Sequence, residues 1–278
     1  MLFIVNPISG KKHKKRIGSF LKSEGCKIVF TEYAGHAEVI AREATEKVIV
    51  AVGGDGTVNE VARGLLGSNK TLGIIPCGSG DGLALHLGIS RRFRTAYKTI
   101  ISGNTALIDT CQINDRPFFS VCGVGFDATV SEKFALSGKR GLANYIKQGL
   151  KTWSEYKPEK YRINLDGKEW ENEAALITVG NANQWGNGAK ITPLADISDG
   201  MLDITIVDMF KGIEIPPLGL LLMTGKIDAS DRVHLYRGQH ITITRSCSGP
   251  AHADGDWFTA GTLLDIRIKP KSLKVIIP

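Results

Sequence analysis

Two glycine-rich stretches of the sequence, VGGDGTVNE and PCGSGDGLA, contain the residue types that phosphate binding needs. Glycine lets successive peptide N–H groups converge on an anion, because no Cβ atom holds the ligand away. Each stretch follows an apolar run and precedes a helix-compatible segment, and the N-terminus of a helix favours negative charge. The sequence therefore predicts two phosphate-binding turns, at 53–59 and within 76–88.

Carboxylates accompany both glycine-rich stretches. Asp55 is by itself a poor phosphate ligand, so its predicted role is to hold a metal ion, accept a proton or bind a nearby cation. A cap at the helix N-terminus is the alternative role. The second stretch adds the Ser79 hydroxyl and the Asp81 carboxylate. Two such turns at the ends of neighbouring strands would face one another, which predicts one site made by both.

The first hundred residues alternate apolar runs with helix-compatible segments. Strands are predicted at 2–6, 26–33, 47–54 and 72–78, and the segments between them carry apolar residues at intervals of three and four. This order predicts a parallel sheet covered by helices on both faces, in which ligands gather beyond the carboxyl ends of the strands. The predicted α/β domain covers residues 1–108.

After residue 108 the pattern changes to short alternating runs, of which LLDIRIKP at 263–270 and LKVIIP at 273–278 are the last two, joined by turns such as LDGKEW. These runs predict antiparallel strands and a second, β-rich domain over 109–278, whose last strand is free to return to the first domain. The segment 129–156 is helix-like and amphipathic. Lining a cleft and packing a core are both open roles for it.

Composition narrows the class of protein. The formal net charge of +7 favours anionic partners such as nucleotides, phosphates or acidic lipid surfaces. The five cysteines include no CxxC pair, so neither a disulfide framework nor a cysteine zinc site is expected. No apolar run approaches the roughly 18–20 residues that span a bilayer, and the N-terminus lacks a secretory pattern. We therefore expect a cytoplasmic protein.

Two further stretches near the N-terminus carry weaker signals. NPISGKK places Asn6, Ser9, Gly10 and two lysines after the first strand, where they could close over outer phosphates or form an ordinary turn. The basic cluster KKHKKR at 11–16 could contact phosphate or an anionic membrane, or form a solvated helix face. Neither glycine-rich stretch matches GxxxxGK[ST] or GxGxxG, so the P-loop and the usual dinucleotide fingerprint are absent.

Taken together, the motifs resemble the diacylglycerol kinase catalytic domain family, which includes bacterial lipid kinases and sphingosine kinases. IVNPISGKK, GHA, VGGDGTVNEV, GIIPCGSGDGLA, LANY, DISDGMLDITIV and ADGDW occur in family order over nearly the whole chain. The resemblance implies a three-layer nucleotide-binding domain, then a β-sandwich-like domain, with ATP in the cleft. The nucleotide-contact positions that it implies are Asn6, Thr31, Gly53, Gly54, Asp55, Gly56, Thr57, Asn59, Gly78, Ser79 and Gly80.

The same resemblance assigns roles to acidic residues. Asp55 corresponds to the family aspartate most closely tied to catalysis and magnesium. Asp256 stands where the family usually has the glutamate that accepts the substrate hydroxyl proton, and, because aspartate is one methylene shorter, Asp254 and Asp55 are alternatives. Asp127 resembles an acidic position of the cleft, and the resemblance gives it a place in a water and carboxylate network around magnesium. Asp81 replaces a common asparagine, and its charge beside a polyphosphate is unfavourable unless a metal or lysine offsets it.

The acidic turn DISDGML resembles the turn that holds a structural magnesium ion in bacterial members. The resemblance places that ion at Asp199 and at main-chain oxygens near Asp196 and Met201. Hard oxygen ligands in a tight turn suit Mg²⁺. A hairpin turn with solvated carboxylates is the alternative.

The resemblance implies an enzyme of lipid metabolism. The expected reaction is ATP-dependent phosphorylation of a hydroxyl of diacylglycerol or a related lipid such as a sphingoid base, with Mg²⁺ and with transient contact to a membrane surface. Two alternatives stay open: a soluble-substrate kinase of the NAD kinase type, and a nucleotide-binding regulatory protein without phosphotransfer. No nucleic-acid partner is expected, and a homodimer is left open.

Overall fold

The computed structural model describes residues 1–8, 14–138 and 142–278, without the side chains of 14–16 and 142–143. The chain divides into two compact units. The first contains residues 1–109 and 270–278, and the second contains residues 110–269. Ser9, Gly10 and the side chains of the basic cluster 11–16 lie outside the described residues, so the role predicted for them stays a prediction.

The first unit contains a parallel sheet with helices packed on it. Its strands are β1 (Leu2–Val5), β2 (Lys27–Phe30), β3 (Val48–Gly53) and β4 (Thr71–Pro76), and its helices are α1 (Lys14–Ser23), α2 (His36–Glu43), α3 (Asp55–Leu65), α4 (Gly82–His86) and α5 (Phe93–Ser102). The strand order is β2-β1-β3-β4, with every neighbouring pair parallel. The predicted α/β architecture is confirmed.

The strands of this sheet are short and apolar because helices shield the sheet from water. All six residues of β4 are buried, as are five of the six residues of β3. Such continuous burial is typical of strands in a parallel sheet and explains why their sequences do not alternate. The chain end adds one more strand, since Lys274 and Val275 pair in parallel with Thr71 and Leu72 of β4.

The second unit is built mainly from antiparallel strands. Its elements are β5 (Thr105–Ile113), which begins in the first unit, β6 (Arg116–Phe118), β7 (Val121–Gly125), α6 (Phe126–Leu136), α7 (Leu142–Trp153), β8 (Glu159–Leu165), β9 (Lys168–Ala174), β10 (Leu176–Gly180), β11 (Leu202–Val207), α8 (Ile215–Thr224), β12 (Val233–Gly238), β13 (His240–Arg245), β14 (Gly249–Ala253), β15 (Asp256–Ala260) and β16 (Leu263–Ile276), which ends in the first unit. Two short 3-10 helices, Gly212–Glu214 and Ile227–Ala229, flank α8.

Two antiparallel sheets enclose the core of the second unit. One has the order β12-β11-β10-β7-β14-β15, and the other contains the start of β16, then β13, β8 and β9. Ile177 and Ile204 from the first of these sheets belong to one buried cluster with Ile163 and Ile243 from the second. The alternating runs predicted these antiparallel strands, and the shared core is the sandwich-like arrangement that the family resemblance implied.

Within the described ranges, no helix is both long enough and apolar enough to span a bilayer. The strongest apolar run of the sequence, IPPLGLLLM, forms most of α8, a helix of ten residues. Its two prolines lie in the first turn, where proline is tolerated because the missing N–H has no intrahelical acceptor. The prolines therefore start this helix and do not break it.

Candidate functional site

The two glycine-rich turns begin at the same edge of the parallel sheet. Strands β3 and β4 are neighbours, and Gly53 at the end of β3 is paired with Pro76 at the end of β4. The N–H of Cys77 donates to the carbonyl of Gly53 at 2.7 Å. Because parallel strands end on the same side, both chains leave the sheet together, as the sequence predicted.

The two turns are in direct backbone contact. A Cβ atom added to Gly54 would lie 3.0 Å from the Cα atom of Gly78, and one added to Gly78 would lie 2.7 Å from the Cα atom of Gly54. No larger residue fits at this contact without a shift of the backbone. These two glycines therefore let the turns approach each other. This role adds to the predicted one, in which glycine lets backbone N–H groups converge on an anion.

Asp55 fastens one turn to the other. Its Oδ2 atom accepts the N–H of Asp81 at 2.8 Å, and its Oδ1 atom accepts the N–H of Gly82 at 2.7 Å. Gly82 is the first residue of α4, so the carboxylate satisfies N–H groups at the start of that helix. The predicted capping role is thus present, but it acts on α4, because the N-cap of α3 is Gly54.

Asp81 lies inside the second turn in a left-handed conformation, with φ of 50°. Asparagine and aspartate tolerate this region better than most residues, which explains an aspartate where the family commonly has asparagine. Its side chain is buried, and its Oδ1 atom accepts the N–H of Gly78 at 2.9 Å. Burial, and then the charge of Asp55, raise the pKa of the Asp81 carboxyl. Arg91 supplies an opposite charge, with its Nε atom 3.1 Å from Asp81 Oδ2.

The other predicted nucleotide-contact residues of the first unit include one hydrogen-bonded pair and several buried side chains. The Nδ2 atom of Asn6 donates to the hydroxyl of Thr57 at 3.0 Å, and Asn6 Oδ1 accepts the N–H of Ile8 at 2.8 Å. Thr31, Thr57 and Asn59 are all buried. The bond from Asn6 to Thr57 ties the end of β1 to the residues after the first turn, whereas Gly56 and Ser79 are the exposed members of the predicted set.

Glu60 on α3 is a positioning residue that the sequence analysis missed. Its two carboxylate oxygens accept the N–H groups of Gly35 and Ala37 at 2.9 and 3.1 Å. These residues belong to the GHA motif at the start of α2. The helix that follows the first glycine-rich turn is therefore tied to the motif that precedes that turn in the family pattern. Only the position of Glu60 shortly after VGGDGTVN could have suggested this contact.

In the second unit, Asp256 is the first residue of β15 and is exposed. Asp254 and Gly255, which form the two-residue turn before it, both have positive φ values, as a tight β-hairpin requires. The Asp254 carboxylate accepts the N–H groups of Phe119, Ser120 and Val121 at 2.7 to 3.0 Å. Three amide donors stabilise the charged carboxylate. Asp254 is thus suited to a structural role, and Asp256 is the accessible carboxylate of this hairpin.

Asp127 is buried within the second unit. Its Oδ2 atom accepts the Thr178 hydroxyl at 2.9 Å and lies 3.0 Å from His252 Nε2, and both of these partners are buried as well. A Cβ atom added to Gly123 would lie 2.6 Å from the same oxygen. The role implied for Asp127, a place in a water and carboxylate network around magnesium, stays a prediction. The structure assigns Asp127 to an internal polar cluster.

The acidic turn at 196–201 is compact and internally hydrogen-bonded. Asp196 Oδ1 accepts the N–H and hydroxyl of Ser198, and Asp199 Oδ1 accepts the N–H of Met201 at 2.9 Å. The other oxygen of Asp199 is paired with Arg237, whose Nε atom also lies 3.2 Å from Asp203 Oδ1. A guanidinium therefore already contacts the carboxylate predicted to hold the structural metal ion. That metal site stays a prediction.

The described residues contain no cluster of three or more histidine, cysteine or acidic side chains arranged to hold a metal ion. Mg²⁺ in phosphoryl-transfer enzymes is usually held by one or two carboxylates together with substrate phosphates. The Asp55 carboxylate fits this use, since each of its oxygens has a second lone pair beyond the amide bond that it accepts. The geometry is thus compatible with a magnesium ion that arrives with a nucleotide.

Comparison with known proteins gives the same order of domains. Residues 1–113 match the diacylglycerol kinase catalytic domain, and residues 120–277 match the YegS C-terminal NAD kinase beta sandwich-like domain. A probable lipid kinase, YegS-like, from Citrobacter koseri is 34% identical over 184 residues, which cover 64% of this chain and 60% of that protein. A diacylglycerol kinase from Bacillus subtilis is 29% identical over 268 residues, or 91% of this chain and 88% of that protein.

A solved structure supports the fold. The crystal structure of a putative diacylglycerol kinase from Bacillus anthracis superposes with a TM-score of 0.82 at 24% identity, over 100% of this chain and 94% of that one. The C-terminal domain match alone covers more than half of the chain, and the catalytic-domain match precedes it. The chain therefore belongs to the diacylglycerol kinase and YegS family of lipid kinases.

Proposed function

We propose that the protein transfers the γ-phosphoryl group of ATP to a hydroxyl of diacylglycerol or of a related lipid such as a sphingoid base. The observation that carries this proposal is the contact between the two glycine-rich turns, fastened by Asp55. Two adjacent glycine-rich turns, the first of them at the start of α3, let backbone N–H groups converge on one chain of phosphates, while Asp55 and Asp81 engage the N–H groups of Gly78, Asp81 and Gly82. Family membership supports the choice of kinase chemistry.

In this proposal the first unit binds the triphosphate. The backbone at Gly54, Gly56, Gly78 and Gly80 surrounds the phosphates, and the hydroxyl of Ser79 is an exposed donor beside them. The bond from Asn6 to Thr57 holds the first turn in shape. The family pattern adds Thr31, Gly53 and Asn59 to the nucleotide site. Fixed donors of this kind stabilise charge that develops during phosphoryl transfer without having to reorganise.

Magnesium, when bound with the nucleotide, would neutralise phosphate charge, with Asp55 as the residue that holds it. We assign Asp256 as the residue that accepts the proton of the lipid hydroxyl. The assignment follows from its place in ADGDW and from its exposure, while the Asp254 carboxylate is engaged by three amides. An aspartate that accepts a proton must be ionised, which an exposed position favours.

A lipid substrate requires contact with a membrane surface, and we propose that α6 and α7 make it from the cytoplasmic side. Leu136, Ile146 and Leu150 on these helices are exposed large apolar residues, and Lys147 and Lys151 alternate with the last two. Apolar side chains next to lysines suit the boundary between acyl chains and anionic head groups.

The test is a turnover assay with labelled ATP and a panel of acceptors in mixed detergent micelles. Diacylglycerol, a sphingoid base and NAD are compared with wild type, Asp55→Asn, Asp256→Asn and a matched surface control, Asp115→Asn. We expect phosphorylation of a lipid by wild type and by the control, with a loss of about 100-fold or more in the other two variants. Turnover of NAD alone, or ATP binding without any turnover, would contradict the proposal.

A further inference from the structure

A negative charge lies within the second glycine-rich turn, in the stretch proposed to bind phosphate. The Asp81 side chain is 2% exposed, and its Oδ1 atom accepts the N–H of Gly78 across the turn. Asp55 brings a second carboxylate to the same place through its bond to the N–H of Asp81. Two carboxylates beside a polyphosphate would oppose its binding unless a cation offsets one of them.

Arg91, a few residues after α4, supplies that cation. Its Nε atom lies 3.1 Å from Asp81 Oδ2, and its Nη2 atom donates to the carbonyls of Ser79 and Gly80 at 3.2 and 2.6 Å. One guanidinium therefore contacts three consecutive residues of the turn. A guanidinium stays charged at any physiological pH, so the compensation is permanent.

The same contacts fix the orientation of the peptide groups in the turn. A carbonyl and the following N–H belong to one planar peptide unit and point in opposite directions. The peptide between Gly80 and Asp81 is held at its carbonyl by Arg91 and at its N–H by Asp55. The contact of Arg91 with the Ser79 carbonyl fixes the N–H of Gly80 in the same way.

We propose that Arg91 is a positioning residue for nucleotide binding that acts through Asp81: it neutralises this buried carboxylate so that the second glycine-rich turn accepts a polyphosphate. The inference rests on the proposed function. An asparagine at position 81 would need no counter-charge, so aspartate and Arg91 form a matched pair in this chain. Arg91 and Asp81 should therefore be coupled in their effect on nucleotide affinity.

The experiment is a double-mutant cycle with Arg91→Met, Asp81→Asn and both together. The dissociation constant of MgATP is measured by calorimetry without lipid, and KM and kcat are measured with the best lipid acceptor. Arg92→Met is the matched control, because Arg92 is the next residue and its side chain is exposed. Arg91→Lys keeps the charge but loses the planar fork, and serves if the methionine variant does not fold.

We expect Arg91→Met to weaken MgATP binding about tenfold or more, because it leaves a buried carboxylate without its partner. The KM for ATP of Arg91→Met should rise with little change in kcat. The MgATP affinity of Arg91→Lys should lie between those of wild type and Arg91→Met, and the affinity of Arg92→Met should equal that of wild type. Adding Asp81→Asn to Arg91→Met should restore affinity to within about threefold of wild type.

Equal affinities of wild type and Arg91→Met, or a double variant as weak as Arg91→Met alone, would overturn the inference. A wild-type protein that binds no MgATP would contradict the proposed function itself, and this inference with it. The two failures are therefore distinguishable by the wild-type titration.

Discussion

The carboxylate of Asp55 accepts the N–H of Gly82 at 2.7 Å, across the contact between the two glycine-rich turns. Its other oxygen accepts the N–H of Asp81, so both oxygens serve backbone amides. The residue expected to act in chemistry therefore also holds the turns together. A change at Asp55 should affect stability as well as turnover, and the two effects can be measured separately.

For Asp55→Asn we expect a loss of about 1–2 kcal/mol in the free energy of unfolding, because an amide NH₂ would face one of the two N–H groups. Chemical denaturation of the variant and of Asp115→Asn measures this difference. If Asp55→Asn were as stable as the control, the carboxylate would not be fastening the turns.

The close contact between the turns predicts a contrast among glycines. Gly78→Ala should destabilise the protein by about 1–3 kcal/mol, because the new methyl group would lie 2.7 Å from the Cα atom of Gly54. Gly56→Ala should leave stability unchanged or raise it by up to about 1 kcal/mol, since Gly56 lies in α3 and has open space at its Cβ position. Thermal unfolding of both variants checks the contrast, and a stable Gly78→Ala would argue against the contact.

Two histidine–aspartate pairs of the second unit offer a test of burial. His252 and Asp127 lie 3.0 Å apart with both side chains 3% exposed, whereas His240 and Asp265 lie 3.1 Å apart and are 42% and 35% exposed. His252→Ala should lower the free energy of unfolding by about 3 kcal/mol, because the buried Asp127 carboxylate loses its histidine partner and keeps only the Thr178 hydroxyl and a backbone amide. His240→Ala should cost less than about 1 kcal/mol. Similar losses in the two variants, measured by denaturation, would show that burial does not set the strength of these pairs.

Arg237 allows a test of the predicted metal site in the acidic turn. The Asp203 carboxylate is buried, and removal of its arginine partner should destabilise the protein. If Asp199 can hold Mg²⁺, the ion and Arg237 compete for the same oxygen, so Mg²⁺ should raise the unfolding temperature of Arg237→Gln more than that of wild type. The measurement is thermal unfolding with MgCl₂ and with a chelator. Equal responses of the two proteins would remove the support for a metal at this turn.

Much of the fold could be predicted from the sequence, because local residue patterns mark the turns and the ends of the strands. The contact of the two glycine-rich turns follows from parallel strands that end on one side, and the hairpin between β8 and β9 follows from the LDGK turn, where Asp166 and Gly167 have positive φ values. Strands β7 and β14 were missed, because VCGVG and GPAHA contain residues that weaken a strand pattern. The two runs 263–270 and 273–278 were predicted as separate strands, but they are largely one strand, β16, which passes through Pro270 and a left-handed Lys271.

The sequence indicated the glycines and carboxylates of the candidate site. It did not indicate the contacts that support them. Glu60 binds the N–H of Gly35, which is 25 residues away along the chain, and Arg91 binds the carbonyl of Gly80, which is 11 residues away. No local sequence pattern marks such contacts. The place of Asp256 in ADGDW distinguished it from Asp254 in the sequence. The three amides that bind the Asp254 carboxylate had no sequence signal.

The central claim is that both glycine-rich turns bind the phosphates of one nucleotide. The most direct measurement is a titration of nitrogen-15-labelled protein with MgATP, followed through the backbone amide signals of Gly54, Gly56, Gly78 and Gly80. The account predicts that signals from both turns shift together and give one common dissociation constant. Signals that shift in only one turn, or in neither, would contradict it.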